Sequence, residues 1–161
     1  MQSPAFAAIL GFAAVAMVPA AQSAPIVYTA NLSGPAEAPP NASPGTGSTI
    51  VTIDTSAHTL RVEVSFAGLL GTTTMAHIHC CTTVPFTGTV GVATATPNFP
   101  GFPLGITAGI YDQTFNTSRA ATWNAPFVTA NGGTPLGAEA ALAAGLAAGR
   151  AYLNIHTTQF G

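Results

Sequence analysis

The sequence predicts an all-β domain, an antiparallel Greek-key-like β-sandwich with one short helix before the last strand. Three observations support this prediction. Thr, which favours strands, occurs 23 times in the 161 residues. The clearest hydrophobic periodicity has a period of two, and 17 Gly and 13 Pro separate short segments. After residue 24 the sequence has no long periodic apolar run of the kind that would indicate a helical bundle.

Alternation is clearest over residues 59–66, where apolar and polar side chains point to opposite faces of a half-buried strand. Turn chemistry over residues 54–58 joins it to the preceding strand as a hairpin. The predicted strands are 26–32, 48–54, 59–66, 73–80, 88–94, 105–114 and 151–157. The side chains expected in the core are Leu60, Val62, Val64, Phe66, Ile78, Leu153 and Ile155. Residues 135–148, with Pro at the start, are the predicted helix.

The N-terminal residues 1–24 are predicted to be a signal peptide, which leaves residues 25–161 as the mature domain. Residues 5–18 are almost unbroken apolar, and the small residues that follow favour cleavage after Ser23 or Ala24. The alternatives are a short buried helix and a retained membrane anchor, although the run is short for a spanning helix. We therefore expect a secreted protein, extracellular or periplasmic.

Charge is scarce in this chain. Charged residues make up 5% of it, against about 25% in a typical soluble domain, and the formal net charge is -2. There is no Lys and no basic patch that could hold a phosphate backbone, which excludes nucleic acid as a partner. Disorder is also excluded, because 48% of the residues are hydrophobic.

Three of the four His fall in two predicted strands. If residues 75–81 form a strand, His77, His79 and Cys81 share one face, with neighbours about 6.5 to 7 Å apart. The polar face of the last strand carries Tyr152, Asn154 and His156. If the two strands pair, His156 can lie across from His77 and His79.

Three imidazoles with room for an exogenous ligand are typical of a copper or zinc site, since metal–nitrogen bonds are about 2.0 to 2.1 Å. Copper is favoured because it has the higher affinity for nitrogen donors, and zinc is the alternative. A His-x-His pair on a strand can also be a solvent-facing polar pair without a metal. His58 is interpreted as a structural turn residue.

Cys80 and Cys81 are the only cysteines, and they are adjacent. Adjacent Cα atoms are about 3.80 Å apart, below the usual range of about 4.4 to 6.8 Å for a disulfide. Three interpretations stay open: a vicinal disulfide at a turn that ends the strand, thiols associated with the metal, and structural or intermolecular thiols. In the second, Cys81 is the better placed ligand.

Motifs of common enzyme classes are absent from the sequence. There is no Gly-x-Ser-x-Gly elbow, no Walker loop, no dinucleotide fingerprint and no His-Glu-x-x-His motif. The five acidic residues give no evident carboxylate pair. We therefore expect no enzymatic activity, with redox chemistry at the His cluster as the one enzymatic alternative.

Four segments carry family motifs in a fixed order. They are an opening strand with a Glu-x-Pro-Pro turn in residues 28–41, a hairpin in residues 45–68, Ala76-His77-Ile78-His79 followed by Cys-Cys, and Tyr152-Leu153-Asn154-Ile155-His156-Thr157. Together they resemble the CHRD domain, the chordin-type module of chordin and of many exported bacterial and fungal proteins. The resemblance covers roughly residues 27 to 161. It implies a β-sandwich, secretion and no established enzymatic activity.

The sequence departs from the family pattern at its C-terminal end. The family pattern continues into Phe-Pro-x-Gly-Glu-(Ile/Leu)-Arg-Gly, whereas this chain reads Gln159-Phe160-Gly161. We expect either a truncated chain or an open sheet edge that another protein chain fills by strand addition. A looser likeness is to the copper/zinc superoxide dismutase sandwich, which also presents a His-x-His strand to copper but has more His ligands.

The leading interpretation is an exported CHRD-domain protein that binds or stores a transition metal. Its predicted ligands are His77, His79 and His156, with Cys81 as a further candidate, and copper is the favoured ion. One alternative is a structural or adhesive surface module without a metal. The other is a redox enzyme resembling the dismutase.

Overall fold

The computed structural model of the chain describes residues 24–160, so the predicted signal peptide lies, apart from Ala24, outside the described residues. The elements are β1 (Ile26–Ser33), β2 (Thr46–Asp54), β3 (Thr59–Ala67), β4 (Thr73–Cys80), β5 (Gly109–Asn116), α1 (Ala125–Ala130), α2 (Pro135–Ala147) and β6 (Ala151–Thr157). Within residues 24–160 no helix has the length and apolar character needed to cross a membrane.

The strands form two antiparallel sheets. The larger sheet has the order β1–β2–β3–β5, and the smaller one consists of β4 and β6. The chain passes between the sheets after β3, after β4 and after β5. These sheets, with α2 directly before the last strand, confirm the predicted fold class. The short helix α1, which begins with Ala125-Pro126, was not predicted.

One hydrophobic core joins the two sheets. Its strand residues are Val51, Ile53, Leu60, Val62, Val64, Phe66 and Tyr111 of the larger sheet, and Ala76, Ile78 and Cys80 of the smaller one. The predicted burial of β3 and of Ile78 is therefore confirmed. Leu153 and Ile155 pack against this core but stay partly exposed, because β6 has β4 as its one strand neighbour among the described elements.

The prediction of a strand over residues 88–94 is wrong. This segment follows the second edge of β4, but it forms only isolated bridges, of Val92 with His79 of β4 and of Thr94 with Trp123. The Ile78 carbonyl accepts hydrogen bonds from Ala93 and Thr94, while the Ile78 N–H donates to the Thr94 hydroxyl at 3.0 Å. A hydroxyl that takes the place of a carbonyl interrupts the backbone ladder, so a regular strand does not propagate.

The aromatic loop of residues 97–103 fixes this segment to the core. Phe99 is 1% exposed, stacks on Tyr111 and Phe115, and donates its N–H to the Ala76 carbonyl at 3.0 Å. Phe102 stacks on Phe66 with ring centroids 5.8 Å apart. The burial of these two rings holds the loop against β4, and residue 97 at its start therefore has a defined position.

A cavity of about 540 Å³ separates β1 from β6. Residues 28–33 and 151–154 line its two sides, and Val51 and Ile78 contribute to its apolar lining. In the described structure β1 pairs with β2, and β6 pairs with β4, so each has one unpaired edge. Phe86 lies at the rim, is 91% exposed and has a left-handed backbone with φ of 59°.

His58 lies in a turn and also contacts a distant carboxylate. Its backbone is left-handed, with φ of 54°, as the turn interpretation implies. Its Nδ1 also lies 3.1 Å from both carboxylate oxygens of Glu139, a residue of α2 that is 4% exposed. Thr117 donates to the same carboxylate. The hairpin, the end of β5 and α2 therefore meet at one buried carboxylate.

The first prediction concerns this contact. His58→Asn keeps a residue type that tolerates the left-handed backbone but leaves the buried Glu139 carboxylate with Thr117 alone. We expect the free energy of unfolding to fall by about 1 to 3 kcal/mol, the usual cost of an underbonded buried polar group. Urea unfolding at pH 7 measures it, with Thr55→Asn in the same turn as the control. Equal stability of the two variants would contradict the assignment.

Candidate metal centre

The His residues lie on the paired strands of the smaller sheet. β4 and β6 are antiparallel, as the sequence analysis required. The facing pairs on this side are Met75 with His156, His77 with Asn154, and His79 with Tyr152. The opposite face of β4 enters the core through Ala76 and Ile78. The period-two interpretation of both strands is therefore correct, and it explains why one short strand serves both the core and the site.

The three imidazoles converge. One ring nitrogen from each of His77, His79 and His156 lies within 4.8 Å of the others. The ring centroids are 5.4 to 6.1 Å apart, and the ring planes cross at 46° to 87°. Three nitrogens bound to one ion at about 2.0 to 2.1 Å would be about 3.3 to 3.6 Å apart. Side-chain movements on the order of 1 Å would therefore bring these nitrogens to one ion.

Backbone carbonyls orient two of the rings. His77 Nε2 is 2.5 Å from the carbonyl oxygen of Pro97, and His79 Nδ1 is 2.8 Å from that of Val90. A carbonyl oxygen can only accept, so each of these nitrogens carries the proton. The lone pair is then on His77 Nδ1 and on His79 Nε2. Such hydrogen bonds to the distal nitrogen are the usual way in which proteins orient metal-binding His.

The remaining nitrogens lack partners. His77 Nδ1, His79 Nε2 and His156 Nε2 are buried and accept no hydrogen bond from the residues that the structure describes. A buried polar atom without a partner is costly, so such atoms are uncommon and call for a physical reason. Three of them, one on each member of the cluster, fit a cation that accepts three lone pairs.

Sequence reasoning missed three contributors to this site. Val90 and Pro97 act through their carbonyls, and a carbonyl leaves no signal in a sequence. Tyr152 was placed on the polar face, but its stacking on His79 was not foreseen: the ring centroids are 4.8 Å apart and the planes differ by 5°. The Tyr152 hydroxyl lies 3.3 Å from the Val90 N–H. Tyr152 therefore restricts one face of the His79 ring, and the Val90 carbonyl restricts its Nδ1.

Cys81 does not belong to the cluster, which corrects its prediction as a ligand. Its sulfur is bonded to that of Cys80, so the vicinal disulfide is the interpretation that the structure adopts. Cys81 Sγ lies 3.6 Å from the Ala141 carbonyl oxygen of α2. A Cβ on Gly145 would collide with both sulfur atoms, and the missing side chain allows α2 to pack on the disulfide. A sulfur atom in a disulfide is not a thiolate, and the thiolate is the form of cysteine that binds a metal ion.

The family assignment rests on most of the chain. The CHRD domain family matches residues 28–161, a span that includes all three His of the cluster and both paired strands. The chain belongs to the CHRD domain family. No curated protein and no solved structure shows significant similarity to it.

Burial sets the electrostatics of the site in this CHRD domain. It lowers the pKa of His77 and of His156 below the ordinary value of 6.5, since desolvation disfavours the imidazolium form. Repulsion from the neighbouring imidazoles lowers both further, whereas the Pro97 carbonyl partly opposes the shift at His77. Both rings are therefore neutral at pH 7, the form that a metal ion requires.

The second prediction follows from these pKa shifts. Below pH 6.5 the unfolded chain binds more protons than the folded one, so the metal-free domain should lose stability as the pH falls from 7 to 5. His156→Gln removes one of the two groups and should reduce this dependence. Denaturant unfolding in the presence of a chelator, repeated between pH 5 and 7, measures the slope of stability against pH for the wild type and for the variant. An unchanged slope for His156→Gln would show that this imidazole does not titrate as described.

Proposed function

We propose that this chain is an exported CHRD-domain protein that binds a transition metal, with copper favoured and zinc as the alternative. The ligands are His77, His79 and His156. One observation carries the proposal: each of these residues has a buried ring nitrogen without a partner in the described structure, and one ring nitrogen from each residue lies within 4.8 Å of the others. The role is binding or storage rather than turnover.

Two further observations support metal binding. The rings of His77 and His79 are already oriented by backbone carbonyls, so little side-chain entropy remains to be lost on binding. The lowered pKa of His77 and of His156 removes proton competition at neutral pH. A solvent-facing His pair would need neither feature, and here His77 and His79 are 3% and 8% exposed.

Export is part of the same proposal. Residues 1–24 have the apolar core and small residues of a signal peptide. The Cys80–Cys81 disulfide suits an oxidising compartment, because cytosolic thiols are kept reduced. The compartment we propose is therefore extracellular or periplasmic.

The third prediction tests the site by metal titration of the mature domain. His79→Ala should weaken Cu binding by at least about 10- to 100-fold, since even the loss of an outer partner of a ligand costs that much. The triple variant His77→Ala, His79→Ala, His156→Ala should not bind. His58→Asn is the matched control, because it removes one imidazole outside the cluster. Calorimetric titration at pH 7 measures each affinity.

Three results would overturn parts of this proposal. Copper binding by the triple variant with unchanged affinity would place the ion elsewhere. An equal loss in His58→Asn would mean that folding, and not ligation, controls the affinity. Rapid consumption of superoxide by the copper-loaded domain would favour a redox enzyme over a binding protein.

A second candidate function is assembly, and the cavity between β1 and β6 favours it. Both strands present an unpaired edge there, and such edges accept an added strand. The nearby apolar side chains of Phe86 and Val84 are 91% and 53% exposed. The net charge of -2 gives copies of the chain little mutual repulsion. The partner we propose is a second copy of the chain.

The fourth prediction concerns this assembly. Phe86→Asn removes the exposed ring at a left-handed position that Asn tolerates well, so folding should be preserved while self-association weakens. Ile110→Thr on β5, where the side chain is 82% exposed away from the cavity lining, is the matched control. Sedimentation equilibrium over a range of concentrations measures both. A wild-type chain that stays monomeric throughout would remove this candidate.

A further inference from the structure

Met75 is a potential sulfur donor on the strand that carries His77 and His79. It is two residues before His77 on β4, so strand alternation puts its side chain on the face of His77 and His79. It is also paired directly with His156 on β6, and directly opposed residues share a face at a Cβ separation of about 4.5 to 5.5 Å. Two separate geometric relations therefore bring the thioether to the side of the imidazoles.

The four side chains differ in their exposure to solvent. His77 and His79 are buried and held by carbonyls, whereas His156 and Met75 are both partly exposed. An ion that enters from solvent would reach this less restricted pair first. Met has three rotatable bonds and a polarisable sulfur, so its side chain can adjust to an ion that two fixed imidazoles already position.

The charge of the donor set discriminates between ions. The described residues give the cluster three imidazoles, which bind a metal in their neutral form, and no carboxylate, and both cysteines are joined in the disulfide. A divalent ion held by neutral donors keeps its full charge of +2 in a buried place, where an uncompensated charge is costly. A monovalent ion keeps half of that charge. Thioether sulfur is also a soft donor that selects Cu(I).

We propose that Met75 is the fourth ligand of the His77, His79 and His156 site, and that this set of three nitrogens and one sulfur holds copper as Cu(I). The inference rests on the proposed metal-binding function and adds a ligand and an oxidation state to it. Loss of Met75 should weaken Cu(I) binding much more than Zn(II) binding, since zinc prefers imidazole, thiolate and carboxylate donors.

The sequence allows a direct test of the metal–sulfur contact. Met75 is the only methionine in residues 24–161, so selenomethionine labelling of the mature chain puts one selenium at that position. X-ray absorption at the selenium edge of the Cu(I)-loaded protein should then show a copper atom in the first coordination shell. Ascorbate serves as the reductant, and a thiol titration afterwards checks that the Cys80–Cys81 disulfide is intact.

Affinities supply the second measurement. Met75→Leu conserves volume and apolar character, so the fold should be retained. We expect Cu(I) affinity, measured by competition with a chromogenic chelator, to fall by about tenfold or more, whereas Zn(II) affinity should change by less than about threefold. Equal losses for the two ions would point to a packing role for Met75 and would overturn the inference.

The two proposals fail in different ways. Copper bound by the wild type, with no copper neighbour at the selenium edge, would remove Met75 as a ligand and leave the three-His site in place. Zinc binding by a wild type that binds no copper under either redox condition would remove the Cu(I) inference and leave the metal site. No binding of copper or of zinc would remove both proposals.

Discussion

The site depends on one constraint, which is that a polar atom taken out of water needs a partner. β4 is buried on both faces: Ala76 and Ile78 enter the core, and His77 and His79 enter a second, polar interior. The carbonyls of Pro97 and Val90 satisfy one nitrogen of each imidazole. The same hydrogen bonds fix which nitrogen carries the proton, and they leave the other nitrogen of each ring with a lone pair and no partner in the described structure. The geometry of the cluster is therefore a consequence of how these imidazoles are buried.

The irregular segment beside β4 makes those carbonyls available. In a regular ladder, backbone carbonyls along the second edge of β4 would accept hydrogen bonds from β4 amides. Here the Thr94 hydroxyl serves the Ile78 amide, and the chain then turns so that Phe99 enters the core. The carbonyls of Val90 and Pro97 are thus free to meet imidazoles. The absence of a regular strand over residues 88–94 and the orientation of the imidazoles therefore have the same physical cause.

Periodicity predicted what a single strand determines, and little of what contacts between distant segments determine. It placed His77, His79 and His156 on one face of two paired strands, and the apolar face of residues 59–66 in the core. It could not show that His58 pairs with Glu139, 81 residues away, because a turn residue gives no sign of its distant partner. Adjacent cysteines left three interpretations open, since the contact of α2 with both sulfur atoms leaves no sign in the sequence around them.

The two candidate functions meet at Tyr152. This residue lines the cavity between β1 and β6, and its ring stacks on His79 of the cluster. A chain bound in the cavity would contact a side chain that restricts one of the proposed ligands. If the bound chain and the bound metal both favour one position of Tyr152, each strengthens the binding of the other. The two factors are equal, because linkage is reciprocal. A bound chain that contacts Tyr152 equally in both positions leaves the metal affinity unchanged.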